Sequence, residues 1–278
     1  MVIMTDRYAV IGNPVAHSKS PLIHAEFARQ TGESLSYEPL FCELSGFEAA
    51  VMRFRDEGGR GLNVTVPFKL GAYELSEHRT ARAESALAVN TLTLGHDGIG
   101  GDNTDGAGLI RDLTQNLRVA LLAKRILLMG AGGASYGVCG PLLDQKPVLL
   151  VVANRSLDKA SALCRHFDAA HTRSTEMRAA PYDELTGEQF DLVINATSAG
   201  LANAMPALPV RLFAPGALAY EMVYGKATPF MQFAQREGVR TADGLGMLVE
   251  QAAESFYVWR GVRPQTAPVI ELLRDSGK

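Results

Sequence analysis

The sequence predicts an α/β fold in two domains, and three observations carry that prediction. The 278 residues are long for one core and typical of two α/β domains. Strand-like and helix-like stretches alternate through the first hundred residues, as in a layered α/β unit. From residue 124 a second series begins whose strands are continuous apolar runs, the pattern of a parallel sheet covered on both faces.

In the first series, RYAVI (7–11) reads as a strand, and the loop GNPVAHSKS follows. PLIHAEFARQTG then reads as a helix, with Pro21 at its first position and Gly32 just past its end. SYEPLFCE is the second strand, and GFEAAVMRFRDEGG is a helix closed by Gly58 and Gly59. In GLNVTVPFK, Leu62, Val64 and Val66 alternate with Asn63 and Thr65. The third strand is therefore expected to bury three apolar side chains on one face and gather polar ones on the other. Pro67 stops its ladder for want of an N–H, and a single cation, Lys69, follows. AVNTLTL (88–94) is a further strand, HDGIG a turn, and GDNTDGAGLIRDLTQNL a loop feeding a helix that crosses into the second domain.

The second series opens with a short strand, Ile126–Met129, then a glycine turn and a helix. VLLVVAN (148–154) is the next strand, DKASALCRHF a helix, FDLVINATSAG a strand entering a small-residue loop, and GALAYEMVY another strand. GLGMLVEQAAESFYVWRG returns to helical periodicity. The expected domains are residues 1–105 joined by a C-terminal helical segment, 244–278, and a Rossmann-type domain over 106–243, with a site in the cleft between them.

Bulk properties narrow the function classes. An apolar fraction of 47% with 21% charged residues is that of a soluble globular chain. The net charge is −3 with no Lys/Arg run, so neither a nucleic acid nor a membrane surface is an expected partner. No apolar run approaches the ~18 residues that span a bilayer, and the start lacks a basic-then-apolar signal. Three cysteines far apart suit a reducing cytoplasm. No CxxC and no HxxxH is present, so a metal is not expected.

Gly130–Ser135, GAGGAS, is an imperfect dinucleotide fingerprint, with Ser135 at the third glycine's position. Gly130 permits the tight turn, Gly132 lets backbone approach a pyrophosphate, and the helix start offers free N–H groups. An ordinary βα turn is the alternative reading. The next strand ends in Asn154, Arg155 and Ser156, with Lys159 nearby, where an NAD site usually has an acid for the ribose. A cation and two neutral donors suit a 2′-phosphate, which points to NADP. A solvated strand-end arginine is the alternative.

A nicotinamide enzyme that reduces a ketone needs a proton donor beside the oxygen. Zinc is not expected, no Tyr-x-x-x-Lys is present, and a His–Asp pair stays open. Lys69 is the preferred donor and Asp105 the acid chosen to hold it. Such a pair at ~4 Å and an effective dielectric of about 20 interacts by about 4 kcal/mol before desolvation costs. A surface lysine and a helix-capping aspartate are the plainer readings.

Taken together and in order, IGNPVAHSKSP, NVTVPFK, VNT, GDNTDG, GAGGAS, NRS, NATSAG and DGLGMLVEQAAESFYVWRG resemble the bacterial shikimate dehydrogenase family, from residue 11 to about 261. The resemblance implies an NADP-dependent, reversible reduction of 3-dehydroshikimate to shikimate in aromatic amino-acid biosynthesis. It puts the catalytic pair on Lys69 and Asp105. It puts substrate contacts on Ser18, Ser20, Thr65, Asn90, Tyr224 and Gln251, with Asn63 close by. It puts cofactor contacts on Gly130, Ala131, Gly132, Gly133, Ala134, Asn154, Arg155, Ser156 and Lys159, with Met222 or Val223, Gly244 and Met247 near the nicotinamide.

Paired serine hydroxyls can take the carboxylate of a small polyol acid, and amides and hydroxyls can take its ring hydroxyls without adding charge. A plain N-cap is the other reading of Ser20. Two positions depart from the family pattern: Tyr136 where relatives often carry Arg, and Glu221 where Asp is more usual, the latter expected to affect only local packing. The chain is expected to be a monomer or homodimer. Three rivals are carried forward: a quinate/shikimate paralogue with relaxed substrate or NAD use, a non-catalytic NADPH sensor, and another two-domain enzyme such as a folate dehydrogenase.

Overall fold

The computed structural model describes residues 5–168 and 175–275. The chain forms two compact units. One runs to Gly108 and resumes at Leu248; the other is Leu109–Met247.

The first unit holds β1 (Asp6–Gly12), β2 (Leu35–Phe41), β3 (Gly59–Val64), β4 (His78–Arg79), β5 (Thr91–Gly95) and β6 (Gly98–Asp102), in the order β2-β1-β3-β5-β6-β4. β1, β2 and β3 are parallel, and β5 runs antiparallel to both β3 and β6. Parallel neighbours need crossovers, and α1 (Ser20–Thr31) and α2 (Phe47–Asp56) supply them. Pro21 sits in the first turn of α1, where its missing N–H costs nothing, and Gly32 closes the helix at φ 73°. α3 (Lys69–Leu75), α4 (Ala81–Ala86) and α5 (Asp105–Arg111) follow. Under α2 and α3 one face of the sheet packs Ala9, Ile11, Leu62, Val64, Leu92 and Leu94.

The second unit is a single parallel sheet: β7 (Arg125–Met129), β8 (Leu149–Ala153), β9 (Glu176–Ala180), β10 (Phe190–Asn195), β11 (Phe213–Glu221) and β12 (Arg240–Asp243). The order is β12-β11-β10-β7-β8-β9, a doubly wound sheet whose direction of growth reverses between β7 and β10. Alternate residues go to opposite faces, as the pleat requires: Ile126, Leu128, Leu150 and Val152 to one core, Leu127, Met129, Leu149 and Val151 to the other. α6 (Gly133–Asp144), α7 (Leu157–Asp168) and α8 (Pro229–Arg236) cover it. A π-turn at Asp112–Asn116 is unforeseen in the sequence. There the Tyr220 hydroxyl donates to Asp112 Oδ2 at 2.6 Å, and burial, reinforced by that carboxylate, pushes the phenol's pKa well up.

α9 (Leu245–Arg260) and α10 (Ala267–Asp275) complete the chain. In the first unit α9 lies on the sheet face opposite α2. Trp259 stacks on Tyr8 at 4.7 Å and donates its indole N–H to the Leu92 carbonyl at 3.1 Å. Gly61 makes that approach possible, because a Cβ there would stand 2.6 Å from the indole nitrogen.

Three expectations change. β3 ends at Val64, and Val66, expected on the apolar face, is 61% exposed because the chain has already turned at Pro67. Asn63 does lie opposite Leu62 and Val64, but its face is covered too, leaving it 7% exposed. β6 takes residues that read as turn and loop, its three glycines hiding a strand that pairing with β5 imposes.

His24 on α1 is fully buried, stacked on Tyr37 at 4.1 Å and 5°, with Phe27, Phe256 and Trp259 around it. Neither ring nitrogen has a hydrogen-bond partner among the described residues. Burial pushes its pKa from 6.5 down to about 3. The unfolded chain therefore binds a proton near pH 6.5 that the folded chain refuses until about pH 3. Stability from this site is full above pH 6.5 and falls as pH drops, by on the order of 5 kcal/mol across the window. His24→Phe is expected to flatten the fall of the thermal midpoint between about pH 7 and about pH 4.5, and parallel curves for the two proteins would contradict the assignment.

Candidate active site

β3 delivers the chain to a turn at Thr65–Phe68, and Lys69 opens α3. Asp105 opens α5, its backbone N–H donating to Asn103 Oδ1 at 3.1 Å. The Lys69 ammonium donates to Asp105 Oδ2 at 2.5 Å, with the two side chains 25% and 9% exposed. Asn90 Nδ2 donates to the other oxygen, Oδ1, at 2.8 Å. Lys69 is thus paired, and the Asp105 carboxylate faces an ammonium and an amide.

Asn90, at the bend before β5, is 2% exposed. Its Oδ1 accepts from the Thr104 backbone N–H at 2.8 Å and the Thr91 hydroxyl at 2.9 Å. Gln251 on α9 turns its Oε1 toward Asn90 Nδ2 at 3.3 Å and donates its own amide to the Leu248 carbonyl at 2.9 Å. Asn63 accepts from the Tyr37 hydroxyl at 2.7 Å and donates to Ser255 Oγ at 2.9 Å and Thr91 Oγ1 at 3.2 Å. Both ends of that amide are therefore occupied within the protein. Ser20 is 6% exposed and is the first residue of α1, with Lys19 at the N-cap, so Ser20 is not the cap. Its N–H donates to Ser18 Oγ at 3.2 Å, which sets the two hydroxyl-bearing residues side by side. Thr65 is half-buried, with its N–H on the Ile11 carbonyl at 3.0 Å. Tyr224, half-buried, follows β11 in the second unit.

Sequence reasoning passed over the clamp behind this cluster. Asp102 accepts a two-pronged contact from Arg82, 2.6 Å to each oxygen, and one from the Thr80 hydroxyl at 2.6 Å. Arg82 also reaches Glu254 on α9 at 2.9 Å. Bidentate guanidinium–carboxylate contacts are strong and directional, so the loop from Asp102 to Asp105 is tied to both α4 and α9. No local pattern signals this clamp, because the partners of Arg82 lie 20 and 172 positions away.

In the second unit Gly130 follows β7 with φ 105°, a conformation that favours glycine, and a Cβ there would press on the Ala196 carbonyl at 3.2 Å. Ser135, at the third fingerprint position, is fully buried and donates to the Gly130 carbonyl at 2.9 Å, closing the turn from inside. The space above Gly132 and Gly133 is open, Ala131 and Ala134 flank them, and no side chain caps α6. Asn154 holds the Ser156 carbonyl at 3.0 Å, while Arg155 and Lys159 are exposed. Gly244 packs on the backbone of Met222 and donates to the Val223 carbonyl at 3.3 Å, and Met247 joins the core beneath.

Tyr136 packs at 5.6 Å from His166 and 6.2 Å from Phe167. Glu221 does more than pack: fully buried, it accepts from Asn195 and Thr228 at 2.8 Å each and from the Val223 N–H at 3.1 Å. Among the described residues no three His, Cys, Asp or Glu side chains gather as a metal site, and no helix is long and apolar enough to cross a membrane.

Residues 10–92 match the family model described as the shikimate dehydrogenase substrate binding domain, residues 112–203 that of shikimate/quinate 5-dehydrogenase, and residues 244–274 the shikimate 5'-dehydrogenase C-terminal domain. The shikimate dehydrogenase (NADP(+)) of Nitrosospira multiformis is 58% identical over 275 residues, covering 98% of both chains. That of Aromatoleum aromaticum is 59% identical over 271 residues, covering 97% of both. Among solved structures, an Ael1 enzyme from Pseudomonas putida has a TM-score of 0.90 at 48% identity, covering 97% of this chain and 98% of that one. A shikimate 5-dehydrogenase from Thermus thermophilus, in complex with NADP(H) and shikimate, has a TM-score of 0.86 at 31% identity, covering 98% of this chain and 99% of that one. With identity at this level along almost its whole length, the chain belongs to the shikimate dehydrogenase (NADP(+)) family.

Proposed function

We propose that this chain is an NADP-dependent oxidoreductase that reversibly reduces 3-dehydroshikimate to shikimate, a step of aromatic amino-acid biosynthesis. The observation that carries the reading is the 2.5 Å pair of Lys69 and Asp105, closed on its far side by Asn90. An ammonium held by a carboxylate keeps a fixed direction. Lys69 donates a proton to the carbonyl oxygen as the ketone is reduced and takes it back in the oxidative direction. Asp105 orients Lys69 and accepts from a ring hydroxyl. Ser18 and Ser20 receive the substrate carboxylate, and Thr65, Asn90, Gln251 and Tyr224 receive its hydroxyls, with Asn63 behind them.

The second unit fits NADP. The open backbone over Gly132 and Gly133 at an uncapped helix start suits a pyrophosphate. Arg155 and Lys159, exposed beyond β8, suit a 2′-phosphate, with Asn154 and Ser156 shaping the loop between them. Ala131 and Ala134 line the turn, and Met222, Val223, Gly244 and Met247 form the wall offered to the nicotinamide. When bound, NADPH supplies the hydride to the carbonyl carbon. We further propose a cytoplasmic enzyme, monomer or homodimer, with no nucleic-acid or membrane partner.

The deciding assay follows formation of reduced nicotinamide with shikimate or quinate and with NADP or NAD. The highest kcat/KM is expected for shikimate with NADP, and a preference for quinate with NAD would replace the reading. Lys69→Ala is expected to lower kcat by ~10²-fold or more while substrate KM changes far less; a variant at full rate would remove the lysine from the chemistry. Arg155→Ala is expected to raise the KM for NADP about tenfold and leave that for NAD within about twofold, because it removes a charge-assisted contact that only the 2′-phosphate makes. An equal change for both cofactors would place the arginine elsewhere.

A further inference from the structure

We propose that Tyr37, Asn63, Thr91 and Ser255 are positioning residues, a hydrogen-bond chain of fixed polarity that acts with the Thr104 backbone N–H to make Asn90 present its NH₂ group, and not its oxygen, to Asp105. The proposal rests on the catalytic reading of Lys69 and Asp105 and adds to it the groups that aim them.

The polarity is set by backbone groups, which have neither rotors nor tautomers. Asn63 Nδ2 lies 3.3 Å from the Asn90 carbonyl, which can only accept, so that end of Asn63 is the donor. The opposite end, Oδ1, then takes the Tyr37 hydroxyl at 2.7 Å. Burial pushes the Tyr37 phenol's pKa well up, and the ring is held flat against buried His24, so its hydroxyl keeps its proton and its direction. The Thr104 N–H, which can only donate, lies 2.8 Å from Asn90 Oδ1. Asn90 therefore turns its NH₂ toward Asp105 Oδ1.

Thr91 links the two amides. Its oxygen accepts from Asn63 Nδ2 at 3.2 Å, and its proton goes to Asn90 Oδ1 at 2.9 Å. Ser255 Oγ stands 2.8 Å from the Thr91 oxygen and, since the Thr91 proton is on Asn90, is the donor across that contact; Ser255 accepts from Asn63 at 2.9 Å and lies 3.1 Å from the Gln251 carbonyl one helical turn back. Thr91 and Ser255 are 1% and 0% exposed, so each hydroxyl must find its partners inside. A flipped Asn90 would set its oxygen against the Asp105 carboxylate and its NH₂ against the Thr104 N–H, two like-polarity contacts at once. The chain thus fixes which Asp105 oxygen is taken and leaves the other for Lys69.

The test compares Thr91→Val, which keeps the shape and removes the hydroxyl, with Thr91→Ser, which restores it, and with Ser255→Ala. Each is measured for kcat/KM with shikimate, KM for NADP, thermal midpoint, and the Asn90 side-chain amide signals in nitrogen-edited proton spectra of the ligand-free protein. Thr91→Val is expected to lose about tenfold in kcat/KM with NADP KM within about twofold, and to shift or broaden the Asn90 amide pair; Thr91→Ser is expected to recover to within about twofold. Ser255→Ala is expected to move the same readouts in the same direction by about threefold, and supplies the answer if Thr91→Val fails to fold. Unmoved Asn90 signals with unchanged kcat/KM, or a loss that Thr91→Ser does not recover and that tracks a lowered thermal midpoint, would overturn the proposal. A parent chain that does not turn over shikimate would sink the functional reading alone, because the amide spectra, taken without substrate, still decide whether Thr91 sets Asn90.

Discussion

A carboxylate nine-tenths removed from water must have both oxygens satisfied, and Asp105 meets that demand with one ammonium and one amide. Leaving either oxygen unpaired costs several kcal/mol. The demand propagates. If Asn90 gives its NH₂ to Asp105, its oxygen needs donors, and Thr104 and Thr91 provide them. If Thr91 gives its proton to Asn90, it must receive one, and Asn63 provides it. Lys69 is the member with room to act: at 25% exposure it is the pair's more open side, with three N–H groups of which the carboxylate takes one. Charge is held at the back and a donor is left at the front.

Such a network needs backbone held to a few tenths of an ångström, and ion pairs and close packing do the holding. Arg82 grips Asp102 with two nitrogens and Glu254 with a third, so one planar fork ties the loop before Asp105 to the helix that carries Gln251 and Ser255. On the neighbouring strand Gly61 has no side chain to keep Trp259 away, and the indole bonds the β5 backbone through Leu92. These two contacts seat α9 low enough for the Ser255 hydroxyl to reach strand residues. A longer residue at 61 would lift the helix and break the polar network without touching any of its members.

What was legible in the sequence follows the range of the interaction that decides it. Pro21 and Gly32 bound α1 through local backbone preference: the C-terminal end stands where it reads, and the N-terminal end lies one residue earlier, at Ser20. The alternate residues of β7 and β8 divide between two cores because a parallel sheet buries both faces. Lys69 and Asp105 stood out because reduction of a ketone needs a donor and neither zinc nor a Tyr-x-x-x-Lys was on offer, though a His–Asp pair stayed open, and their side chains meet. Val66 misled because alternation says nothing of where a strand stops. The β6 glycines read as turn because their strand is imposed by β5. Arg82 and Ser255 were invisible for the same reason, since their partners lie 20 and 192 positions away.

The second unit answers a different demand by the same means. A fingerprint with serine at its third position looks weakened, yet Ser135 is small enough for the close packing that position needs and uses its hydroxyl to bond the Gly130 carbonyl. Glu221 looks like a conservative lengthening of aspartate, yet its oxygens reach Asn195 at the end of β10, Thr228 at the cap of α8 and the Val223 N–H. Thr228 in turn accepts from Met231 at 3.3 Å, so one hydroxyl serves the carboxylate and the helix. The carboxyl ends of β7, β10 and β11 are thereby pinned by polar groups whose bonds close among themselves. At this edge the start of α6 carries no side-chain cap, and Arg155 and Lys159 beyond β8 are exposed. An uncapped helix start and nearby cations are the polarity that the proposed pyrophosphate and 2′-phosphate contacts need.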